Sequence, residues 1–256
     1  MPPLTIAILF VLGMVLGGFG GLFGIGGGLI AIPVLGLAFG MDQQLAQGTS
    51  LVMIVPNVAL GFWRYRQRVG VDLRVAATLA ICAVVASYLS ARFATQLDAG
   101  KLRAAFAGFI VALAVYYAIR VLRGLRPRTE RPKTERKPLE WGWTSIVGIV
   151  GGLLSGMFGV GGAVIAPPAL TTFFGFTQAE AQGLALALIG PGTVIALATY
   201  ARAGEVDWGM GLPLAAGGMI GIYAGVAAAH KLPEAKLRLL FCGLLVATAA
   251  MLIAHG

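Results

Sequence analysis

The sequence predicts an all-α polytopic membrane protein built from two homologous halves, and three observations predict it. The first is composition. Of 256 residues, 58% are hydrophobic and only 11% charged, against roughly 25% charged in a soluble domain. Mean hydropathy is +0.88, so the chain cannot cover itself with a wetted surface. The second is an internal repeat. Phe23-Gly24-Ile25-Gly26-Gly27-Gly28 returns as Phe158-Gly159-Val160-Gly161-Gly162-Ala163, an offset of 135 residues. The offset holds without a gap at Pro33 and Pro168, Gln43 and Gln178, Gln47 and Gln182, Pro56 and Pro191, Tyr65 and Tyr200, and Asp72 and Asp207. It still holds at Lys101-Leu102-Arg103 against Lys236-Leu237-Arg238. The third is that the repeated glycine cluster interrupts an apolar stretch too long for one span.

In chain order the apolar stretches cover 4–40, 45–63, 75–91, 104–119, 141–176, 181–201, 208–229 and 237–254. Six have ordinary single-span lengths, near 20 residues. Residues 4–40 as one helix would extend roughly 55 Å at 1.5 Å per residue, across a hydrocarbon core of about 30 Å. The glycines split that stretch into 4–22 and 28–40, and its counterpart into 143–158 and 163–176. Pro33 and the pair Pro167-Pro168 further limit regular helix in the short pieces. Each half therefore has four full transmembrane helices and one short, broken helix. The first repeat is 1–119, the linker 120–140, and the second repeat 141–256.

Charge places the linker. Net charge is +9, and eight of the nineteen basic residues fall between Arg120 and Lys137. A short basic connector between apolar blocks is cytoplasmic under the positive-inside rule; it is not a nucleic-acid surface. Whether the short helix crosses decides the symmetry. A parallel arrangement puts 13 Lys and Arg inside and 6 outside, and an inverted one puts 15 inside and 4 outside. Both obey the rule; the inverted arrangement is preferred, because broken short helices accompany that design in secondary transporters. The chain is expected in the cytoplasmic (inner) membrane, with its first apolar run kept as a span and not cleaved, since no basic segment precedes it. Cys82 and Cys242 lie in apolar runs, unrelated by the offset, and read as small hydrophobes.

Glycines at a four-residue step (Gly13, Gly17, Gly21; Gly148, Gly152, Gly156; Gly217, Gly221, Gly225) suit close helix approach in lipid and are assigned to packing. The glycines at the breaks carry more chemistry. Gly24, Gly26, Gly27 and Gly28, with Gly159, Gly161 and Gly162, leave backbone N–H groups open to approach. A helix that starts after such a turn aims free amides and its positive dipole end at what precedes it, which makes an anion site. Two such sites, related by the repeat, would face each other near mid-membrane. The competing reading is a pure packing break. No GxGxxG and no Walker lysine supports a nucleotide.

Polar residues inside the apolar runs are few. Gln47, Thr49, Ser50 and Asn57 stand in the first half; Gln182, Thr193 and Thr199 stand in the second. Gln47 and Gln182 are equivalent, and their amides either donate to an anion or tie helices together. Thr78, Ser87 and Ser155 are expected to bond to carbonyls of their own helices. All ten acidic residues lie in predicted loops or at span ends. No carboxylate or histidine at depth serves as a proton relay or a metal or cation ligand. The expected partners are thus a small anion and the lipid bilayer. No cofactor, no metal, no nucleic acid and no enzymatic constellation is expected, and homo-oligomerisation is left open.

Gly17 to Pro33 (GGFGGLFGIGGGLIAIP), followed by Ala46-Gln47-Gly48-Thr49-Ser50-Leu51, resembles the TauE/SafE-type sulfite exporter family, also called the toluene sulfonate uptake permeases. The resemblance covers essentially the whole chain. It implies a secondary transporter of sulfur-containing anions such as sulfite, sulfoacetate or other organosulfonates, working by alternating access. The second half departs from the motif: Gly183-Leu184-Ala185-Leu186 replaces Gly48-Thr49-Ser50-Leu51, and both hydroxyls are lost. More donors are expected from the first half. Two other readings remain at this point, a channel-like pore for small anionic or neutral solutes and a membrane accessory subunit with no flux of its own.

Overall fold

The computed structural model describes residues 2–68, 73–122, 141–160, 166–167, 170, 178–229, 231–232 and 234–254. Among them the chain is helical, with no strand. The helices are α1 (Pro3–Phe23), α2 (Gly28–Phe39), α3 (Gln43–Arg68), α4 (Leu73–Ala94), α5 (Ala99–Leu122), α6 (Trp141–Phe158), α7 (Gln178–Arg202), α8 (Trp208–Ala229) and α9 (Glu234–Ala254). Gly161, Gly162, Thr78's side chain, linker residues 123–140 and most of the expected short helix at 163–176 lie outside the described residues, and α5 runs on to Leu122. Five helical segments are long and apolar enough to cross a membrane: Pro3–Phe23, Gln43–Tyr65, Ala99–Ile119, Ala181–Arg202 and Trp208–Ala229. Gly28–Phe39, Ala80–Ala94, Ser145–Phe158 and Leu239–Met251 are shorter apolar helices. This is a multi-pass membrane protein.

α1 shows the packing rule. Its large residues Leu4, Ile8, Val11, Val15 and Phe19 are exposed, while Gly13, Gly17, Gly20 and Gly21 are buried. In lipid the exposed stripe needs no protein partner, and close backbone approach drives association. A methyl group at Gly13, Gly17 or Gly21 would overlap the backbone of Leu214, Gly218 or Ile222 on α8. Methyls at Gly217, Gly221 and Gly225 would in turn overlap Phe10, Met14 and Gly18. The numbers rise together, so α1 and α8 run in the same direction. The other half repeats this: Gly152 abuts Ala83 and Gly156 abuts Ser87, which sets α6 along α4.

α3 also runs with α8, since Gly48 adjoins Glu205, Gly211 adjoins Val52 and Gly218 adjoins Asn57. With α1 and α3 both parallel to α8, the intervening α2 has to carry the chain back. α3 and α7 behave differently. Gly61 meets Leu186 and Gly190 meets Val58; Tyr65 bonds to Gln182 and Tyr200 to Gln47. One set of numbers rises as the other falls, so these two helices, equivalents under the offset, run antiparallel. Aromatic contacts exchange in the same way. Phe23 lies 5.1 Å from Phe241 and its equivalent Phe158 lies 5.8 Å from Phe106, both with rings at 51°.

Three local expectations need correction. α2 runs straight through Pro33, because a proline there removes one bond, to the Leu29 carbonyl, without ending the helix. Ser87 does not bond within its own helix: its hydroxyl donates to the Gly192 carbonyl of α7 at 2.8 Å. Gly192 has no side chain to keep the serine away. Ser155 Oγ is buried without a partner among the described residues. Cys82 and Cys242 are free thiols, half-buried.

Candidate functional site

The site is built around the two breaks. Gly24 closes α1 in the left-handed conformation, φ 69°, with its N–H donating to Gly20 O. Its equivalent Gly159 has φ 65° and donates to Ser155 O at 3.0 Å. Gly26 and Gly27 follow at φ 73° and 96°, values that would strain any residue with a Cβ. Gly27 caps α2, and no side chain shares that task. The first backbone bonds of α2 come from Ile30 and Ala31 to Gly27 O. The Gly28 and Leu29 amides therefore have no helical acceptor, as at any helix start. The breaks touch each other: a Cβ on Gly28 would sit 3.0 Å from Gly159 O. One on Gly24 would meet the Gln182 side chain, and one on Gly159 would meet Gln47.

Each glutamine is held by a tyrosine from the other half. Tyr200 O–H donates to Gln47 Oε1 at 2.6 Å, and Tyr65 O–H donates to Gln182 Oε1 at 2.6 Å. Each hydroxyl also lies 3.4 Å from a glycine carbonyl, Gly156 O for Tyr200 and Gly21 O for Tyr65. Both tyrosines are fully buried. Sequence reasoning paired them by the offset but did not count them as site residues. Their recurrence was a signal, though an ambiguous one: Tyr88 and Tyr223 recur by the same offset and are exposed on the outer surface.

Of the other expected residues, Asn57 reaches the break, its Nδ2 donating to Gly26 O at 3.3 Å while Oδ1 has no partner among the described residues. Four hydroxyls are engaged elsewhere. Ser50 Oγ donates to Gln47 O at 2.8 Å and Thr193 Oγ1 to Gly190 O at 2.9 Å, each on its own helix. Thr199 does the same to Ile195 O. Thr49 Oγ1 accepts the Asp207 N–H at 3.0 Å, which ties α3 to the start of α8. The geometry thus gathers Gly24, Gly26, Gly27, Gly28, Gly159, Gln47, Gln182 and Asn57, and leaves Thr49, Ser50 and Thr193 as structural ties. Gln47 Nε2 is the donor still unused, buried and without a partner among the described residues.

Asp98 Oδ1 accepts the Lys101 N–H and Asp207 Oδ1 accepts the Met210 N–H, so both serve as helix caps at span ends. No group of three or more His, Cys, Asp and Glu that could hold a metal occurs among the described residues. The Arg64 guanidinium stacks 3.3 Å over the Tyr223 ring. The centre offers backbone and amide N–H donors together with the Asn57 amide oxygen, unpartnered among the described residues.

Comparison with known proteins gives one family and a set of relatives. The family described as Sulfite exporter TauE/SafE matches residues 9–252. A probable membrane transporter protein of Xylella fastidiosa is 29% identical over 217 residues, 84% of this chain and 82% of the relative. One from Bacillus subtilis is 25% identical over 236 residues, covering 92% of this chain and 93% of its own length. One from Methanocaldococcus jannaschii is 29% identical over 173 residues, and the match spans 65% of this chain and 62% of that relative. No solved structure matches the chain.

Proposed function

The chain belongs to the sulfite exporter TauE/SafE family, and from that premise we propose that it is a secondary transporter of a small sulfur-containing oxyanion. The substrate is sulfite, sulfoacetate or another organosulfonate, carried across the cytoplasmic membrane by alternating access, with the 120–140 linker on the cytoplasmic side. The observation that carries the reading is the centre itself. Two glycine turns abut, and one of them opens a helix of twelve residues with uncapped amides. Beside them lies a buried Gln47 Nε2 without a partner. A site of neutral donors binds an oxyanion through many N–H bonds and needs no counter-charge.

The two halves act as inverted repeats about an axis in the membrane plane. The antiparallel pairing of α3 with its equivalent α7 supports this, because a two-fold axis that reverses a membrane-crossing helix must lie in that plane. Rocking one half on the other would then expose the centre to each side in turn. No titratable group is needed at depth, so proton coupling, if present, resides in the substrate's own protonation or at the rim.

The test is binding and flux with the purified chain. Sulfite, sulfate, thiosulfate, sulfoacetate, taurine and an aromatic sulfonate are titrated, with chloride as control. A ligand of the folded state raises its melting temperature by mass action. The expected result is stabilisation by at least one sulfur anion, weakened about tenfold or more in Gln47→Ala, a loss typical of a hydrogen bond to a charged ligand. Proteoliposomes should show saturable uptake accelerated by unlabelled substrate on the far side. No stabilisation with any anion and no saturable flux would overturn the reading.

A further inference from the structure

We propose that Tyr65 and Tyr200 are the positioning residues that make this centre select anions, by fixing which end of each glutamine amide faces the ligand. The inference rests on the transport reading above and adds the source of its charge selectivity. A glutamine amide carries a donor end and an acceptor end of nearly equal size, and rotation about its last bond exchanges them. Unrestrained, such a side chain serves an anion with its N–H groups and a cation or a neutral donor with its oxygen. It selects poorly.

Here the oxygen is taken. The Tyr200 hydroxyl donates to Gln47 Oε1 at 2.6 Å, while its other acceptor, Gly156 O, lies at a longer 3.4 Å. Were the amide turned over, Nε2 would donate to the tyrosine oxygen. The hydroxyl proton would then be left with the poorer carbonyl. The bond therefore holds the amide in one sense, and it does so although Gln47 Nε2 is buried with no partner. Leaving a buried donor unpaired is costly, so this orientation awaits an acceptor. The mirror bond joins Tyr65 to Gln182 Oε1 at 2.6 Å, with Gly21 O at 3.4 Å. Both tyrosines come from the half opposite to the glutamine they hold.

The test uses the full purified chain and two probes of similar size, the anion methanesulfonate and neutral methanesulfonamide, with sulfite as a second anion. Affinities are measured for the native chain, Tyr200→Phe, Tyr65→Phe, Gln47→Ala and the double variant Tyr200→Phe/Gln47→Ala. The native chain should bind the anions and discriminate against the sulfonamide. Tyr200→Phe keeps the ring and frees the amide, so anion affinity should fall about tenfold, sulfonamide affinity should hold or rise, and the ratio should collapse. In the Gln47→Ala background Tyr200→Phe should cost nothing further, because the tyrosine acts through the glutamine. An unchanged ratio in both tyrosine variants, or equal further loss in the double variant, overturns the inference while leaving transport standing. Tyr65→Phe keeps the question open to decision if Tyr200→Phe does not fold. A native chain that binds neither anion overturns the transport reading and this one with it.

Discussion

Replacing Gly17 with alanine adds one methyl group aimed at α8. Its carbon would lie 2.7 Å from the Gly218 Cα and 2.8 Å from the Gly218 carbonyl carbon, where carbon atoms normally rest about 3.5–4.0 Å apart. Both obstacles are backbone, so no rotamer change relieves them and the helices must part by about 1 Å. A gap of that size forfeits a quarter to a half of the attraction between the atoms facing it. Overpacking of this kind costs about 1–3 kcal/mol. Gly18 is the internal control. Its added carbon would find Gly221 O at 3.8 Å, an ordinary contact, so the helix preference of alanine acts unopposed and should stabilise by up to about 1 kcal/mol. Thermal unfolding of the detergent-purified variants reads the difference. At about 2–4 °C per kcal/mol for a chain of this size, and with that preference set against the overpacking, Gly17→Ala should lower the midpoint by up to roughly 8 °C while Gly18→Ala raises it by up to about 4 °C. Equal shifts would refute the claim that backbone approach governs this interface. A stabilised Gly17→Ala would refute it more plainly, by handing the outcome to the helix preference of alanine, worth about 1 kcal/mol.

Two further pairs of substitutions examine the topology and the turn. Lys101 and Lys236 are exposed equivalents under the offset; as Lys101→Cys and Lys236→Cys, in a chain lacking Cys82 and Cys242, they should react with an impermeant thiol reagent from opposite faces of the membrane. Labelling from one face alone would sink the inverted arrangement. Gly26→Ala and Gly40→Ala place a side chain at φ 73° and 65°, with a similar backbone cost of about 1–2 kcal/mol. The new carbon meets methyls of Ile54 and Val58 at 3.0 Å only at Gly26, and nothing within 4 Å at Gly40. Both variants should lose stability, and sulfite binding should fail in Gly26→Ala alone; equal binding in the two would remove the turn from the site.

Some of this was readable in the sequence because it rests on length and on glycine. No helix can fill 4–40 within a bilayer, and Gly24-Ile25-Gly26-Gly27-Gly28 is where the chain can turn; the break falls there. What sequence left open depended on which neighbour a side chain meets. Ser50 and Thr193 bond one turn back, as hydroxyls on helices commonly do, but nothing in the sequence separates them from hydroxyls free to meet a ligand. Ser87 could not, because its acceptor lies 105 residues away on α7. Tyr65 and Tyr88 each recur by the offset. Only the crossing of α3 with α7 separates the one that reaches an amide from the one facing outward.

The broken symmetry at the centre has an energetic meaning. Asn57 donates to Gly26 O, but its equivalent under the offset is Gly192, which has no side chain to make the mirror bond. If exchange of conformations between inverted halves is the transport step, the two end states cannot be equal in energy, because one contains this bond and the other has nothing to replace it. An interhelical hydrogen bond in a bilayer averages about 0.6 kcal/mol, which tilts two populations by about threefold. That is large enough to set a resting preference for one side and small enough that ligand binding can reverse it. The hydroxyls missing from Leu184 and Ala185, opposite Thr49 and Ser50, act in the same sense: Thr49 ties α3 to Asp207, and Leu184 can form no matching tie. Strict symmetry would make the two faces interchangeable, and these departures are where a direction of transport would be written.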